Sequence, residues 1–295
     1  MRIKHSSLKH TKAFWLFVTP SLALFTIFFL VPFVLSIFFS FTDYDGWKTM
    51  NFVGLNNYKA VLKDSYFWDA IGRTLVYTVF SLPFRVFLPL IIAVFACSRK
   101  VAMKGFIRTL IYIPVLLSSL VVGVTINWMF STEYGLVNYI IQSLGFQPLD
   151  WALNSKLATF VISFASNWSS LGFNMILYIG GIKSISGEMY EAAEIDGSSP
   201  LQTFLRITLP LLAPTTFLVF FLSSINLLKE YAVVQGITQG GPGVRTVFII
   251  QYIITSGFSQ MQYGYGSAIS FIIAIFFAII AFLQFKLSNK GGENV

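Results

Sequence analysis

Charge is scarce in this sequence: 11% of its 295 residues are Asp, Glu, Lys or Arg, against 56% hydrophobic. A soluble globular domain carries about 25% charged residues, so this chain lacks the polar surface to cover one and reads as an integral membrane protein. Cysteine is nearly absent. Cys97 is the only one and sits in an apolar run, which excludes an intramolecular disulfide and says nothing of an oxidising compartment. The only histidines, His5 and His10, lie in the N-terminal tail. That placement argues against a membrane-embedded hydrolase using histidine as base, and no metal-ligating set is expected. No Gly-Lys-Ser/Thr step closes a nucleotide-binding P-loop. The formal charge of +8 comes from basic residues spread between apolar stretches. That spread excludes a nucleic-acid face and fits the positive-inside rule.

Uncharged runs dominate what is present. The run Ala13 to Thr42 exceeds the roughly 20 residues a spanning helix needs and the 7–15 of a signal-peptide core, and is expected to be an uncleaved first span. Further spans are expected at Thr74 to Ser98, Phe106 to Phe130, Leu157 to Ile182, Leu211 to Leu228 and Ser267 to Leu287, six in all. With the N-terminus inside, the inner segments hold Arg2, Lys4, Lys9, Lys12, Arg99, Lys100, Lys104, Arg108, Lys183, Arg206, Lys286 and Lys290. The outer ones hold Lys48, Lys59, Lys63, Arg73, Lys156, Lys229 and Arg245. Twelve against seven places both termini in the cytoplasm. Trp15, Tyr44, Trp47 and Tyr134 fit an interfacial aromatic belt. The expected fold is all-α and polytopic. Residues 1–68 give the N-terminal tail, first span and outer segment, 69–290 the transmembrane domain with a polar loop at 186–210, and 291–295 a cytoplasmic tail.

That polar loop is the longest interruption of the apolar pattern between spans four and five. A helix through Met189 to Ile195 is followed by a turn at Gly197 and a second helix with Ser199 as N-cap and Pro200 at its first position. Leu201, Phe204, Leu205 and Thr208 form an apolar stripe at helical spacing, fit to dock in a groove. Pro210 is expected to stop this helix, and Pro214 to sit in the first turn of the next span. Glu188, Glu191, Glu194 and Asp196 precede the lone Arg206. Anionic lipid repels such a surface, so a protein groove is the better partner.

Glu191, Ala192, Ala193, Gly197, Ile207, Leu209 and Pro210 stand at the spacing of the EAA motif, and the chain thereby resembles ABC importer permeases. The resemblance implies a coupling loop that sits on a separate ATP-hydrolysing subunit, with ATP and Mg bound there and no cofactor in this chain. Glu191 and Gly197 are the expected principal contacts. Phe41 to Tyr44 and Phe52 to Tyr58 are similar to the segment after the first span in carbohydrate-uptake permeases of the maltose and glycerol-phosphate kind. Thr238, Gln239, Gly240, Gly241, Pro242 and Gly243 resemble the Thr-x-Gly-Gly-Pro loop of one member of the permease pair. The implied partners are a second, homologous permease in a heterodimer, two copies of the ATP-binding subunit, an extracytoplasmic solute-binding protein, a carbohydrate and membrane lipid.

Independently of any family, the glycines and Pro242 require a tight turn, which either connects, closes a cavity or touches the delivering protein. Polar groups inside spans mark either a path or helix-to-helix bonding. In span four these are Asn167, Trp168 and Asn174, with Leu171 and Gly172 beside them; in span five, Ser223, Asn226, Leu227 and Glu230 are expected to share one face. Leu171, Gly172 and Ser223 resemble sugar-contact positions of the maltose-type permease, whereas Trp168, Asn226 and Glu230 depart from its uncharged amide pattern. Arg85 lies mid-span between Pro83 and Pro89. Pro89 deprives the Arg85 carbonyl of its helical donor, so a kink is expected, with the guanidinium either lining a cavity or bonded to freed carbonyls and a neighbouring helix.

The resulting expectation is a non-enzymatic permease subunit of an ABC importer in the cytoplasmic membrane of a prokaryote, carrying a carbohydrate, most simply an oligosaccharide. A permease for a phosphorylated polyol such as glycerol phosphate is the alternative within the family. A stand-alone secondary transporter requires inverted repeats and midplane ionisable groups. Arg85 and the pair Lys229 and Glu230 are all that hint at one.

Overall fold

The computed structural model describes residues 10–47, 50–98 and 103–292. Arg2, Lys4, His5, Lys9, Lys48, Arg99 and Lys100, and residues 293–295 of the expected tail, lie outside the described residues. Among the described residues the structure is helical, with one isolated bridge between Thr42 and Phe52. It forms two compact units. One comprises the chain up to Asp64 with Ile253–Ile275, the other Ser65–Tyr252 with the chain from Phe276 onward.

In the first unit, α1 (His10–Phe25) passes through a π-turn (Thr26–Leu30) into α2 (Val31–Ser40). The Val31 N–H bonds five residues back, to the Thr26 carbonyl, one residue before Pro32. A π-register at this point absorbs the donor that proline lacks, so the helix continues through it. The end of α2 is held by the segment after it: the Asn57 amide donates to the Ser40 and Thr42 carbonyls at 2.9 and 2.7 Å, and the Tyr58 hydroxyl meets Ser40 Oγ at 2.6 Å. These bonds satisfy carbonyls that a helix C-terminus leaves open. Asn57 begins the work from within α3 (Asn56–Lys63). Between the two helices Asp43 accepts the Asn51 side-chain amide at 3.0 Å and the Asn51 N–H at 2.6 Å, which holds its carboxyl below the usual 3.8.

The second unit opens with α4 (Ser65–Cys97), which is unbroken over 33 residues despite Pro83 and Pro89. Next come α5 (Lys104–Tyr112), a 3₁₀ turn (Ile113–Leu116) and α6 (Ser119–Met129). This is the stretch expected as one span from Phe106 to Phe130; in the structure it is a bent pair, the axis turning by 100° at Leu117 and Ser118. Both residues have extended ψ, 143° and 133°, after a tightened turn begun by Pro114. Then follow α7 (Leu136–Ser143) and α8 (Ser155–Ser184), the latter capped by Asn154, whose side chain accepts the Lys156 and Leu157 N–H groups. The remaining elements of this part are α9 (Gly187–Ile195), α10 (Pro200–Thr203), a π-turn (Phe204–Thr208), α11 (Leu209–Leu211), α12 (Ala213–Leu228), α13 (Ala232–Ile237) and α14 (Ile249–Ile254). The final helix, α15 (Tyr263–Gly292), contributes to both units.

Among the described residues three helices are long and apolar enough to cross a membrane, Phe14–Ser40, Ser65–Cys97 and Tyr263–Lys286; counting each bent pair as one span gives five. The fourth expected span is α8, 30 residues long. It is not among those three, because Ser163, Ser166, Asn167, Ser169, Ser170 and Asn174 lower its apolarity; their side chains bond neighbouring helices or its own backbone. In hydrocarbon the hydrophobic effect no longer drives helices together, so close packing and such bonds must do so. Two side-chain clusters serve that end in the second unit, one around Tyr77, Val161, Leu227 and Phe248, the other around Val86, Leu90, Met175, Tyr178 and Leu212. At the α6–α13 crossing, a Cβ on Gly123 would stand 2.9 Å from Gly236 Cα, so only glycine permits that approach.

The loop before α8 is organised by Asn138, which is 2% exposed. Its amide donates to the Thr132 and Leu149 carbonyls, and its oxygen accepts the Leu149 N–H and the Trp151 indole N–H, both at 3.0 Å. Asn138→Ala orphans all four groups and is expected to cost about 3 kcal/mol, read as a lowered Tm of the purified protein, with Asn138→Asp retaining part of it. Asp43 behaves differently with pH. Its folded pKa is lowered, so its contribution is present at neutral pH and lost on acidification below 3.8. Thermal unfolding of wild type and Asp43→Asn should therefore converge as the pH falls through that range.

Candidate functional site

The mid-span arginine is the centre of a reciprocal clasp. Arg85 is buried in α4; its guanidinium donates to the Ser166 carbonyl at 3.1 Å, to Ser166 Oγ and to Asn167 Oδ1 at 3.2 Å, all on α8. In return Asn174 of α8 donates to the Arg85 carbonyl at 3.0 Å. That is the carbonyl Pro89 leaves without a helical donor, so its loss is made good by a side chain and α4 shows no break. Glu230 supplies the countercharge, 3.7 Å from the guanidinium. Its carboxylate also accepts Ser166 Oγ–H and, at 3.4 Å, the Tyr77 hydroxyl, while its other oxygen caps α13 through the Val233 N–H. The sequence flagged Arg85 and Glu230 separately and did not join them. Of the two readings left open for Arg85, the satisfied guanidinium is the one the structure supports.

The residues expected along a substrate path divide by environment. Trp168 and Leu171 line a groove of about 800 Å3 between α4 and α8. Gly172 instead lies against the end of α5, where a Cβ would come within 2.6 Å of the Ile111 oxygen and Tyr112 Cα. Asn174 and Ser223 bond one another at 3.1 Å, both buried, and Leu227 belongs to the Tyr77 cluster. Asn226 is exposed whereas Ser223 and Leu227 are buried, and α12 ends at Leu228, so Glu230 lies just beyond it.

The 186–210 loop is built as its residue types demand. Ser186 caps α9, and α9 ends in a Schellman motif: Ser198 N–H bonds the Ala193 carbonyl at 2.9 Å and Gly197 N–H that of Glu194 at 3.1 Å, with Gly197 at φ +71°. Ser199 and Gln202 form a capping box. The helix does not stop at Pro210, contrary to expectation. A π-turn lets the Leu209 N–H reach the Phe204 carbonyl, and the axis bends only at Leu212, by 66°. The apolar stripe also splits: Thr208 is buried against the Tyr190 hydroxyl and Phe204 and Leu209 pack on the Tyr178 cluster, while Leu201 and Leu205 face out with Ile195, which is 86% exposed. Ala193 is buried. Glu191, Ala192 and Gly197 are exposed, and Ile207 is half-buried.

At the Thr238–Gly243 loop, Gly240 (φ +98°) and Gly243 (φ +59°) take left-handed conformations and the Gly241–Pro242 bond is cis. Thr246 ties the turn, donating to the Gly241 carbonyl at 2.6 Å and meeting Thr238 Oγ1 at 2.8 Å. Gly241 and Pro242 line a second cavity of about 450 Å3 with Trp128, Glu133 and Tyr134. Sequence reasoning missed Ser166, Tyr77 and Thr246; Ser166 was accessible to the rule that flagged its neighbour Asn167.

Comparison with known proteins places this geometry in context. The family described as binding-protein-dependent transport system inner membrane component matches residues 60–289. The chain is 32% identical over 278 residues to the arabinooligosaccharides transport system permease protein AraP of Bacillus subtilis (strain 168), covering 94% of this chain and 88% of that protein. It is 34% identical over 279 residues to the multiple sugar-binding transport system permease protein MsmF of Streptococcus mutans serotype c, covering 94% and 95%. The fold is shared with a crystal structure of a bacterial ABC transporter involved in import of the acidic polysaccharide alginate. There the TM-score is 0.84 at 22% identity, over 96% of this chain and 97% of that one.

Removing either member of the Arg85–Glu230 pair leaves an uncompensated buried charge, which costs about 3–5 kcal/mol. Arg85→Met and Glu230→Gln singly are each expected to lower the yield and Tm of the detergent-purified protein. The double variant Arg85→Met/Glu230→Gln is expected to recover most of both; double-mutant additivity would show that the pair is not coupled.

Proposed function

This chain belongs to the binding-protein-dependent transport system inner membrane component family, and on that premise we propose that it is the permease half of an ABC importer that carries a carbohydrate inward, powered by ATP hydrolysis on separate subunits. It is a multi-pass membrane component and not itself an enzyme. In this proposal it pairs with a second, different permease, receives substrate from an extracytoplasmic binding protein, and sits in the cytoplasmic membrane with both termini inside. The ATPase subunits hold ATP and Mg, since this sequence has no P-loop.

The observation that carries the proposal is the outward face of the 186–210 loop. Glu191, Ala192 and Gly197 are exposed beside Ile195, Leu201 and Leu205, on a scaffold fixed by the Schellman bonds, the capping box and the buried Ala193 and Thr208. A rigid acidic patch with three bare aliphatic side chains fits a cleft in a protein and not an anionic lipid surface. The helix runs without a break from Pro200 to Leu211 and bends by 66° into α12, and in this proposal displacement of the loop is passed to the following span through that bend.

A carbohydrate cargo is supported by the printed functions of AraP and MsmF. Asn226, exposed on α12, is this chain's proposed polar contribution to the path, with Gly172, Asn174 and Ser223 shaping the helix packing behind it. The phosphorylated-polyol alternative loses its main support because Arg85 is neutralised by Glu230.

Glu191→Lys and Ile195→Asp are expected to reduce co-purification of the ATPase subunit and transport-coupled ATP hydrolysis by roughly tenfold or more, as for truncated interface anchors. Unchanged association together with unchanged coupled hydrolysis would overturn the coupling role.

A further inference from the structure

The groove between α4 and α8 is unsuited to a hydrated sugar, and its chemistry points elsewhere. Ser81 meets Ser163 at 2.6 Å and Arg85 meets Ser166, so the two helices lie side by side and run in the same direction. The walls are Phe80, Phe84, Leu88, Phe160 and Phe164, with Phe80 71% exposed. A saccharide carries a hydroxyl on nearly every carbon, and these walls offer it no partner over most of their length. Besides Trp168 and Thr159, whose hydroxyl donates to the Ser155 carbonyl at 2.8 Å, the polar groups between the two ends are Tyr77, Ser81, Ser163 and Asn167, engaged with one another or with the Arg85–Glu230 pair.

Two cations stand at one end. Lys156 is the second residue of α8 and lines the groove beside Ser155. Arg245 lines it as well and lies three residues before Phe248, whose ring packs tilted against Tyr77 with centres 4.7 Å apart, near the Val76 end of the same wall. Both are exposed, and among the described residues neither has an ion-pair partner. From Lys156 to Leu171 the groove follows fifteen residues of α8, about 22 Å at 1.5 Å per residue. Half of a bilayer counted with its headgroups is about 20–22 Å. An apolar channel one leaflet deep, closed at the headgroup level by two free cations, has the dimensions and charge of a single anionic phospholipid.

We propose that this groove binds an anionic phospholipid, its phosphate held by Lys156 and Arg245 and an acyl chain laid along Phe80, Phe84, Phe160 and Phe164. In this proposal the groove faces lipid along its length, with Trp168 and Leu171 at the end away from the cations, and the site stands or falls independently of the cargo. Bound there, the lipid covers apolar surface that α4 and α8 leave open and screens the polar groups between the two ends from bulk lipid motion.

The test uses the protein purified from the membrane with its co-purifying subunits, probed with phosphatidylglycerol and with phosphatidylcholine of the same acyl chains by native mass spectrometry. Wild type is expected to retain phosphatidylglycerol in preference. The double variant Lys156→Ala/Arg245→Ala, with the same subunits still attached, is expected to bind it roughly 30-fold more weakly, the effect of two surface cations at a headgroup. A photocrosslinking residue replacing Phe160 should label lipid. Equal retention of the two lipids, an unchanged double variant, or labelling of a partner permease helix in place of lipid would each overturn the proposal.

Discussion

In the hydrocarbon layer no water stands ready to receive a backbone group that loses its partner, and the clasp between α4 and α8 is the chain's answer to that constraint at its most exposed point. Pro89 removes a donor; Asn174 replaces it; and the residue whose carbonyl was orphaned sends its own side chain back to a carbonyl of the helix that helped it. Glu230 then makes the buried cation tolerable and, by capping α13, fastens the turn after α12 to the same place. Four helices thus meet at one set of charge-assisted bonds, which hold more firmly than neutral ones. The groove, the Thr238–Gly243 loop and the bend before α6 all take their positions from elements anchored there.

Proline is handled by a second device, used twice. Before Pro32 and again before Pro210 the backbone widens into a π-turn whose closing N–H reaches five residues back, from Val31 to Thr26 and from Leu209 to Phe204. The extra residue in the turn takes up the missing bond and leaves the helix whole. In α4 the same loss is met by a side chain instead. The choice follows from surroundings: α8 lies against Pro89 and supplies an amide, whereas the two π-turns carry the correction within their own backbone.

Much of this was legible in the sequence. The uncharged runs located helical membrane segments, and the loop caps at Gly197, Ser199 and Pro200 fell where their conformational preferences put them. Residue preferences act locally, and those features are local. The bend at Leu117 was not legible, because apolar composition is the same on both sides of it; it sits where the backbone turns extended after the 3₁₀ turn begun near Pro114. The pairing of Arg85 with Glu230 was equally hidden. Each is an anomaly in its own segment, and nothing in the order of residues says that two anomalies far apart in sequence cancel. Pro210 misled for a third reason: a rule about α-helical registers was applied where the register is not α.

The crossing of Gly123 and Gly236 carries a mechanical meaning. Where two helices touch through side chains, a small relative slide can be absorbed by rotamer changes, and the joint has play. Here backbone rests on backbone: a Cβ on Gly236 would stand 2.7 Å from the Leu120 oxygen and 2.8 Å from Gly123 Cα. Such a joint has no loose parts to rearrange. The short helix α13, and the glycine-rich turn it leads into, are therefore carried by α6 as a bracket is carried by the beam it is welded to, so any tilt of that half-span reaches the turn undiminished.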